Sequence, residues 1–323
     1  MIWLLSLTLS LPMTALSAEP PQGTLLVPDQ IEILPSSEAK ISVVIEESGL
    51  RIPLQGLKFR EPEGHCTEEK KTRKILTYLS NPWFRIVHDF EVYRIEFDAP
   101  CTSQITVLFQ GGSLKAQTLL IWNVAMVALS KLETEVGLEF WRTPLIWVWP
   151  ATNDSYSHFR LFLTYPTNVE VITHEMGHAV YDFADIGAFQ AGEHRFESCT
   201  DSTLALTEGW ASFFAAWILF DRSSLTPTFH HLVPRFESVG IENIPASVCQ
   251  GPTSEWRVIG FLWDLIDHPP QDDDRLNLSF GEVFKILKDT RKASIDEVYS
   301  ELKLSQIDAT ALKDTWDLNF TSR

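Results

Sequence analysis

Two histidines four residues apart, with a glutamate directly after the first, form the most reactive-looking constellation in this chain: His174-Glu175-Met176-Gly177-His178. On a helix, residues four apart share a face one turn apart, so His174 and His178 can offer two imidazole nitrogens to a single ion. That is half of a tetrahedral zinc site. Glu175 is rotated off the line of the two rings, yet it stays close enough to reach a metal-bound water, where a carboxylate serves as general base. Zinc lowers the pKa of such a water to about 7, so hydrolysis of a polarised carbonyl is the chemistry this spacing predicts.

The surrounding residues must hold that motif on a helix. Val169, Ile172, Met176, Ala179, Val180 and Phe183 recur at spacings of three and four, which predicts an amphipathic helix. Thr167 and Asn168, following Pro166, supply its cap, and Glu170 stands in its first turn. Further on, Thr203 to Phe220 is apolar nearly all round, so this second helix should be buried. Glu208 inside it is conspicuous. A carboxylate there is costly unless it is paired or bound to a metal, because burial without a partner drives it to protonate. Glu208 is therefore the candidate third ligand. The alternative pattern, with Gly three and His six residues beyond the second histidine, is excluded by Tyr181 and Ala184.

With these residues in hand, the chain resembles the gluzincins, the thermolysin-like clan of zinc metallopeptidases. The resemblance rests on His174-Glu175-Met176-Gly177-His178-Ala179-Val180 and on Glu208-Gly209-Trp210-Ala211. The chain is also similar to exported bacterial proteins that pair such motifs with a later Leu-Trp-Asp-Leu, here Leu262-Trp263-Asp264-Leu265. The resemblance covers residues 114 to 268. It implies zinc ligands at His174, His178 and Glu208, a catalytic base at Glu175, and peptide-bond hydrolysis. Two departures stand out. The Asp that follows the third ligand by one turn in that clan, where it orients a ligating histidine, is Ser212 here, so Asp264 or Asp201 is expected to take its place. The clan's Tyr or His that stabilises the transition-state oxyanion has no match, leaving Tyr156, Tyr165, Tyr181, His194, His230, His231 and His268 open.

A length of 323 residues, 45% of them hydrophobic, suits one large domain or two of ordinary size with a substantial core. The formal net charge of -17, with no basic cluster, argues against general nucleic-acid binding. Met1 to Leu16 is an apolar run without a charged side chain, and it reads as a secretory signal peptide cut near Ser17 or Ala18 although its n-region lacks Lys or Arg. No later segment has the uninterrupted apolar length of a membrane span. Four cysteines fit an exported protein. Of three possible connectivities, Cys66–Cys101 and Cys199–Cys249 are preferred because each pair then falls inside one expected domain.

From Thr24 to Gly112 the sequence reads as short strands, at Leu25 to Val27, Ile31 to Leu34, Ile41 to Ile45, Phe84 to Val87, Val92 to Phe97 and Ile105 to Phe109. The charged patch Glu63 to Lys74 between them reads as a loop or short helix. Helical patterning begins at Leu114 to Val136 and returns at Glu255 to Asp267. Ser279-Phe280-Gly281-Glu282 and Ser294-Ile295-Asp296-Glu297 match capping boxes that open two further helices, and a last helix covers Asp308 to Asp317. Pro144 to Trp149 is an expected strand. His158 to Tyr165 is the expected edge strand over the metal, by analogy with such peptidases.

The expectation is thus an α+β protein: a signal peptide over 1–18, a small β-sandwich-like accessory domain over 19–112, and a mainly helical zincin-type domain with a small sheet over 113–323. Its expected function is zinc-dependent hydrolysis of protein or peptide substrates outside the cytoplasm. The competing expectation is an exported binding or surface protein that keeps a structural or inactive zinc site.

Overall fold

A computed structural model of the chain describes residues 40–45, 59–60, 72–100, 104–109, 113–165, 168–195, 197–232, 238–242, 244–268 and 275–321. Over these residues the protein is mixed α/β, with seven helices and small sheets. The expected signal peptide, the first two expected strands, and Cys66 and Cys101 lie outside the described residues. In chain order the strands before the first helix are β1 (Lys40–Ile45), β2 (Phe59–Arg60), β3 (Thr72–Tyr78), β4 (Phe84–His88), β5 (Glu91–Val92), β6 (Arg94–Pro100) and β7 (Gln104–Phe109). There follow α1 (Leu114–Glu135), β8 (Leu145–Val148), β9 (Ser155–Ser157), β10 (Arg160–Phe162), α2 (Val169–Ala184), α3 (Ser202–Leu219), β11 (Thr228–Phe229) and β12 (Val239–Gly240). Four helices close the fold: α4 (Glu255–Asp264), α5 (Phe280–Thr290), α6 (Ile295–Leu302) and α7 (Ala309–Phe320).

The sheet that positions the site has the order β5-β4-β8-β10-β9. β4 pairs in parallel with β8, from Phe84 opposite Leu145 to Val87 opposite Val148, and β10 pairs in parallel with β8 on its other side. Strands from both sides of Gly111-Gly112 therefore share one sheet. Phe84, Ile86, Leu145, Trp147 and Leu161 from it belong to the same buried cluster as the helices. The other described pieces are a parallel pair β1–β7, an antiparallel sheet β2-β3-β6 and the hairpin β11–β12. Thr72 to Lys74, expected in a loop or short helix, opens β3 instead, because an unbroken register with β6 from Thr72↔Pro100 to Tyr78↔Arg94 outweighs the local charge.

The edge strand is also corrected. β10 lies between β8 and β9, so the strand at the sheet's edge is β9, not the expected His158 to Tyr165. His158 and Phe159 form the turn between β9 and β10 with φ of 46° and 64°. Positive φ at both central residues is the two-residue hairpin geometry whose twist matches the strands, and two residues with side chains adopt it at some cost. Tertiary bonds hold the turn. Tyr156 Oη donates to Asp182 Oδ2 at 2.5 Å and accepts from the Phe159 amide at 3.1 Å, while the Phe159 ring stacks on Phe183 at 5.2 Å. The edge hairpin is thereby tied to α2.

α2 begins at Asn168, whose side chain accepts from the Val171 amide at 2.7 Å, and ends at Asp185 in the left-handed region. α3 begins at Asp201, which caps through the Thr203 amide. Every residue of α3 from Leu204 to Leu219 is buried, so this is the central helix that the all-round apolar pattern predicted. α5 opens with the full reciprocal capping box at Ser279 and Glu282. At Ser294 only half of the motif forms, because Glu297 turns its carboxylate to the Ala293 amide instead of the cap's own.

Close approach of α2 to α3 is made possible by Gly177. A Cβ there would stand 2.7 Å from Ala211 Cα and 2.8 Å from Ala211 O, both backbone atoms that cannot turn aside. Trp210 Nε1 then reaches Gly177 O at 3.1 Å and ties the helices together. Gly209 does the same toward α4, where a Cβ would meet Val258 Cγ1 at 2.5 Å. The motif helix, the Glu208 helix and the helix bearing Glu255 are in this way drawn into one stack. Gly177→Ala is expected to cost about 1–3 kcal/mol by forcing α2 off α3, and to weaken metal binding in parallel. Thermal unfolding together with zinc content of the variant checks this; an unchanged melting temperature would disprove the tight crossing.

Candidate metal centre and active site

Three side chains converge at that crossing. His174, His178 and Glu208 each offer a ligand atom within 4.8 Å of the others, the group of this kind found among the described residues. Glu208 Oε2 lies 3.3 Å from His174 Nε2 and 3.2 Å from His178 Nε2. Two of the groups come from successive turns of α2 and the third from α3, so the site exists only because Gly177 lets the helices touch. All three are nearly buried.

The electrostatics follow from this packing. Burial would raise the Glu208 carboxyl, but His178 and His174 outweigh it and hold the group well below the usual carboxylate range. Burial would lower His178, and Glu208 and Glu175 outweigh it in the opposite sense, so its pKa stands above the ordinary imidazole value. Glu175 has no such counterweight of sufficient size. Burial is the largest influence on it, the two histidines oppose it, and Glu208 and Asp154 add to it, leaving the carboxyl raised. Its Oε2 is buried without a hydrogen-bond partner.

The histidine orientation differs from expectation. Ser212 Oγ stands 2.9 Å from His174 Nδ1, so the residue found one turn beyond Glu208 fills the orienting place itself. Asp201 and Asp264 are used elsewhere: Asp201 caps α3, and Asp264 accepts from Asn319 Nδ2 at 2.6 Å. A serine could have been read for this role from its spacing to Glu208, which puts both on one face of α3. His178 Nδ1 is buried without a partner.

Of the seven residues left open for oxyanion stabilisation, His194 is the one in contact with the cluster. Its Nε2 lies 3.5 Å from Glu208 Oε2, and its Nδ1 lies 2.6 Å from Glu255 Oε2, an ion pair bent away from the ring N–H direction. Glu255 beside it holds His194 up to about 9. Tyr156 is bound to Asp182, Tyr181 is buried with its hydroxyl toward Ala188 O, and Tyr165 packs on Trp149. His230 and His231 give their backbone amides to the buried Glu170 carboxylate, and the His268 amide goes to Arg222 O. In the sequence Glu255 carries no signal beyond that of an ordinary first-turn acid of α4.

His194 stands on the segment between α2 and α3, which has no regular structure from Gly187 to Glu193. The same segment sets Phe189 edge-on to the His178 ring at 5.9 Å and lines a concavity of about 530 Å³ with Gly192, Glu193, His194 and Arg195. Cys199 is joined to Cys249, as expected from the sequence, and backbone bonds from Thr200 N to Thr253 O and from Cys249 N to Glu197 O run alongside. A disulfide that closes a loop of sequence separation 50 stabilises by about 2–4 kcal/mol, chiefly by restricting the unfolded chain.

Two helices that bring two imidazoles and a carboxylate together, with the buried Glu175 beside them, define a candidate metal site of the kind found in zinc hydrolases. The Mycolysin C-terminal domain family matches residues 148–314, just over half of the chain and the whole of this site, and the chain belongs to that family. This is a relation to the thermolysin-like metallopeptidases. No curated protein matches the chain.

Proposed function

We propose that the chain is a zinc-dependent peptidase, with His174, His178 and Glu208 holding the metal and Glu175 serving as the catalytic base. The observation that carries this reading is the convergence of both imidazole Nε2 atoms on one carboxylate oxygen at 3.2 and 3.3 Å, with Glu175 next to them, its Oε2 buried without a hydrogen-bond partner. The donor set fits zinc. Two neutral imidazoles and one carboxylate suit it by ligand type, and a carboxylate that packing has surrounded with imidazoles is a place prepared for positive charge.

Zinc in that position would act as a Lewis acid, polarising a carbonyl and making a water more acidic. The chain's own residues supply the rest. Glu175 is placed to accept a proton from the attacking water and to return it to the amide nitrogen as the carbon–nitrogen bond breaks, so the carboxylate ends as it began. Ser212 fixes the His174 ring through Nδ1. β9, at the sheet's edge and tied to α2 through Tyr156, offers backbone groups against which an extended peptide could pair. The Cys199–Cys249 disulfide supports an exported protein, and no helix among the described residues is long and apolar enough to cross a membrane.

A binding protein with a closed, structural zinc site is the second reading, and the approach of His194 Nε2 to Glu208 favours it. The deciding measurement is zinc content of the purified chain together with cleavage of denatured casein, with and without a chelator. About one zinc per chain and chelator-sensitive cleavage are expected on the stoichiometry of such sites. Bound zinc without cleavage of broad peptide libraries would favour the second reading, and absence of zinc would undo both.

A further inference from the structure

We propose that Asp154 is a specificity-determining residue of this site, whose carboxylate receives a cationic group of the substrate, a Lys or Arg side chain or a free terminal ammonium, close to the bond that is cut. The proposal rests on the peptidase reading above and names a substrate class for it.

The edge hairpin places Asp154. β9 and β10 both pack on α2. The hairpin turn meets the last turn of that helix, where Phe159 stacks on Phe183 and Tyr156 reaches Asp182. Asp154 stands two residues before Tyr156, which is about 6.6 Å of strand, equal to about four residues of helix at a rise of about 1.5 Å each. That step, taken from Asp182 toward the start of α2, ends at the level of His178. Its direction is set by the negative charge of Asp154, which acts on Glu175, on the His174 side of Asp182. Strand alternation puts Asp154 on the same face as Tyr156, the face toward α2. Asp154 also directly precedes β9, the edge against which an extended peptide would pair.

Three properties suit this carboxylate to a cation. It is exposed, so a substrate can meet it. It is held: Thr164 donates to Oδ1 through its amide at 2.7 Å and to Oδ2 through its hydroxyl at 2.8 Å, which uses two of about four acceptor positions and leaves the others for a ligand. And its charge is not neutralised. Among the described residues no Lys, Arg or His pairs with Asp154, whereas the exposed Asp185, Asp289 and Asp314 each meet a cation. A carboxylate fixed before the substrate arrives loses little rotamer freedom on binding it. The excess of 43 acidic over 26 basic residues adds a diffuse attraction of the same sign, which Asp154 turns into a preference at one substrate position.

The test uses the zinc-loaded full chain and end-capped fluorogenic peptides in which each position around the scissile bond is in turn Lys, norleucine or Glu, with one set left free at its amino terminus. The wild type is expected to favour Lys over norleucine at one position by about 10-fold in kcat/KM, the worth of one hydrogen bond to a charged group, and the ratio should shrink as salt is raised. Asp154→Asn, which keeps an acceptor for Thr164, should bring the two rates level. Asp154→Lys should favour Glu at the same position. Glu133→Gln, which makes the same change in net charge as Asp154→Asn at an exposed position of α1, should leave the ratio as it is. A Lys preference in capped peptides assigns the contact to the side chain, and a requirement for the free amino terminus that Asp154→Asn loses assigns it to the terminal ammonium. Should Asp154→Lys not fold, the Asn variant and the salt series decide. Equal cleavage of Lys and norleucine peptides at every position, capped or free, overturns the inference and leaves the peptidase reading standing, as does a preference that survives in Asp154→Asn. A zinc-loaded wild type that cleaves no peptide overturns both.

Discussion

Glu175→Gln is expected to bind zinc as the wild type does and to lose peptide hydrolysis by about 10²–10⁴-fold, the usual worth of a positioned general base. The amide has the shape of the carboxylate but cannot take a proton, and Glu175 is not among the three residues whose ligand atoms cluster. Stability should move the other way. Glu175 is 7% exposed, its Oε2 has no partner, and burial raises its carboxyl, so the folded protein carries a group that would be better off in water. A neutral amide removes that cost, and the variant should melt no lower than the wild type. Zinc content, initial rates and thermal unfolding on one preparation test both halves. Retained hydrolysis would remove Glu175 from the mechanism, and lost zinc would make it a ligand instead.

Glu208→Ala should have the larger structural effect. This carboxylate lies 6% exposed in a helix buried on all sides, and it faces His174, His178 and His194 within 3.2 to 3.5 Å. Removing it takes away one proposed ligand and leaves His174 and His178 without the carboxylate oxygen that both approach. Breaking a buried pair by deleting one partner costs about 3–5 kcal/mol, so the variant is expected to melt well below the wild type even before metal is considered. Dialysed Glu208→Ala should hold no stoichiometric zinc, and chelator should leave its melting temperature unchanged while lowering that of the wild type, since a ligand that binds only the folded state stabilises it. A variant that still holds zinc tightly would assign the third ligand elsewhere.

Much of the candidate metal cluster can be read along the chain because each of its parts is marked by the helix that carries it. His174 and His178 are four apart on a segment whose apolar period and Asn168 cap both declare a helix, and the structure has that helix. Glu208 is visible as a carboxylate in an otherwise apolar stretch, and the structure sets it against both histidines. The Cys199–Cys249 pairing also agrees. The helix and ligand signals are short-range, set by periodicity, capping and the cost of burying charge, whereas the cysteine pairing follows from both residues falling inside one expected domain.

Other features depend on which distant surfaces meet. No local signal says that β4 pairs with β8 across the whole of α1, that β9 rather than the stretch after it is the edge strand, or that Ser212 and not an aspartate turns toward His174. The His194–Glu255 pair is the clearest case, because one residue lies in a segment without regular structure and the other in an unremarkable first turn. Residue types and their spacing along two helices, α2 and α3, determined the candidate ligands and the candidate base. The tertiary structure decided which polar groups stand around them, because that depends on how near Gly177 and Gly209 let three helices approach and on where the disulfide fastens the loop between them.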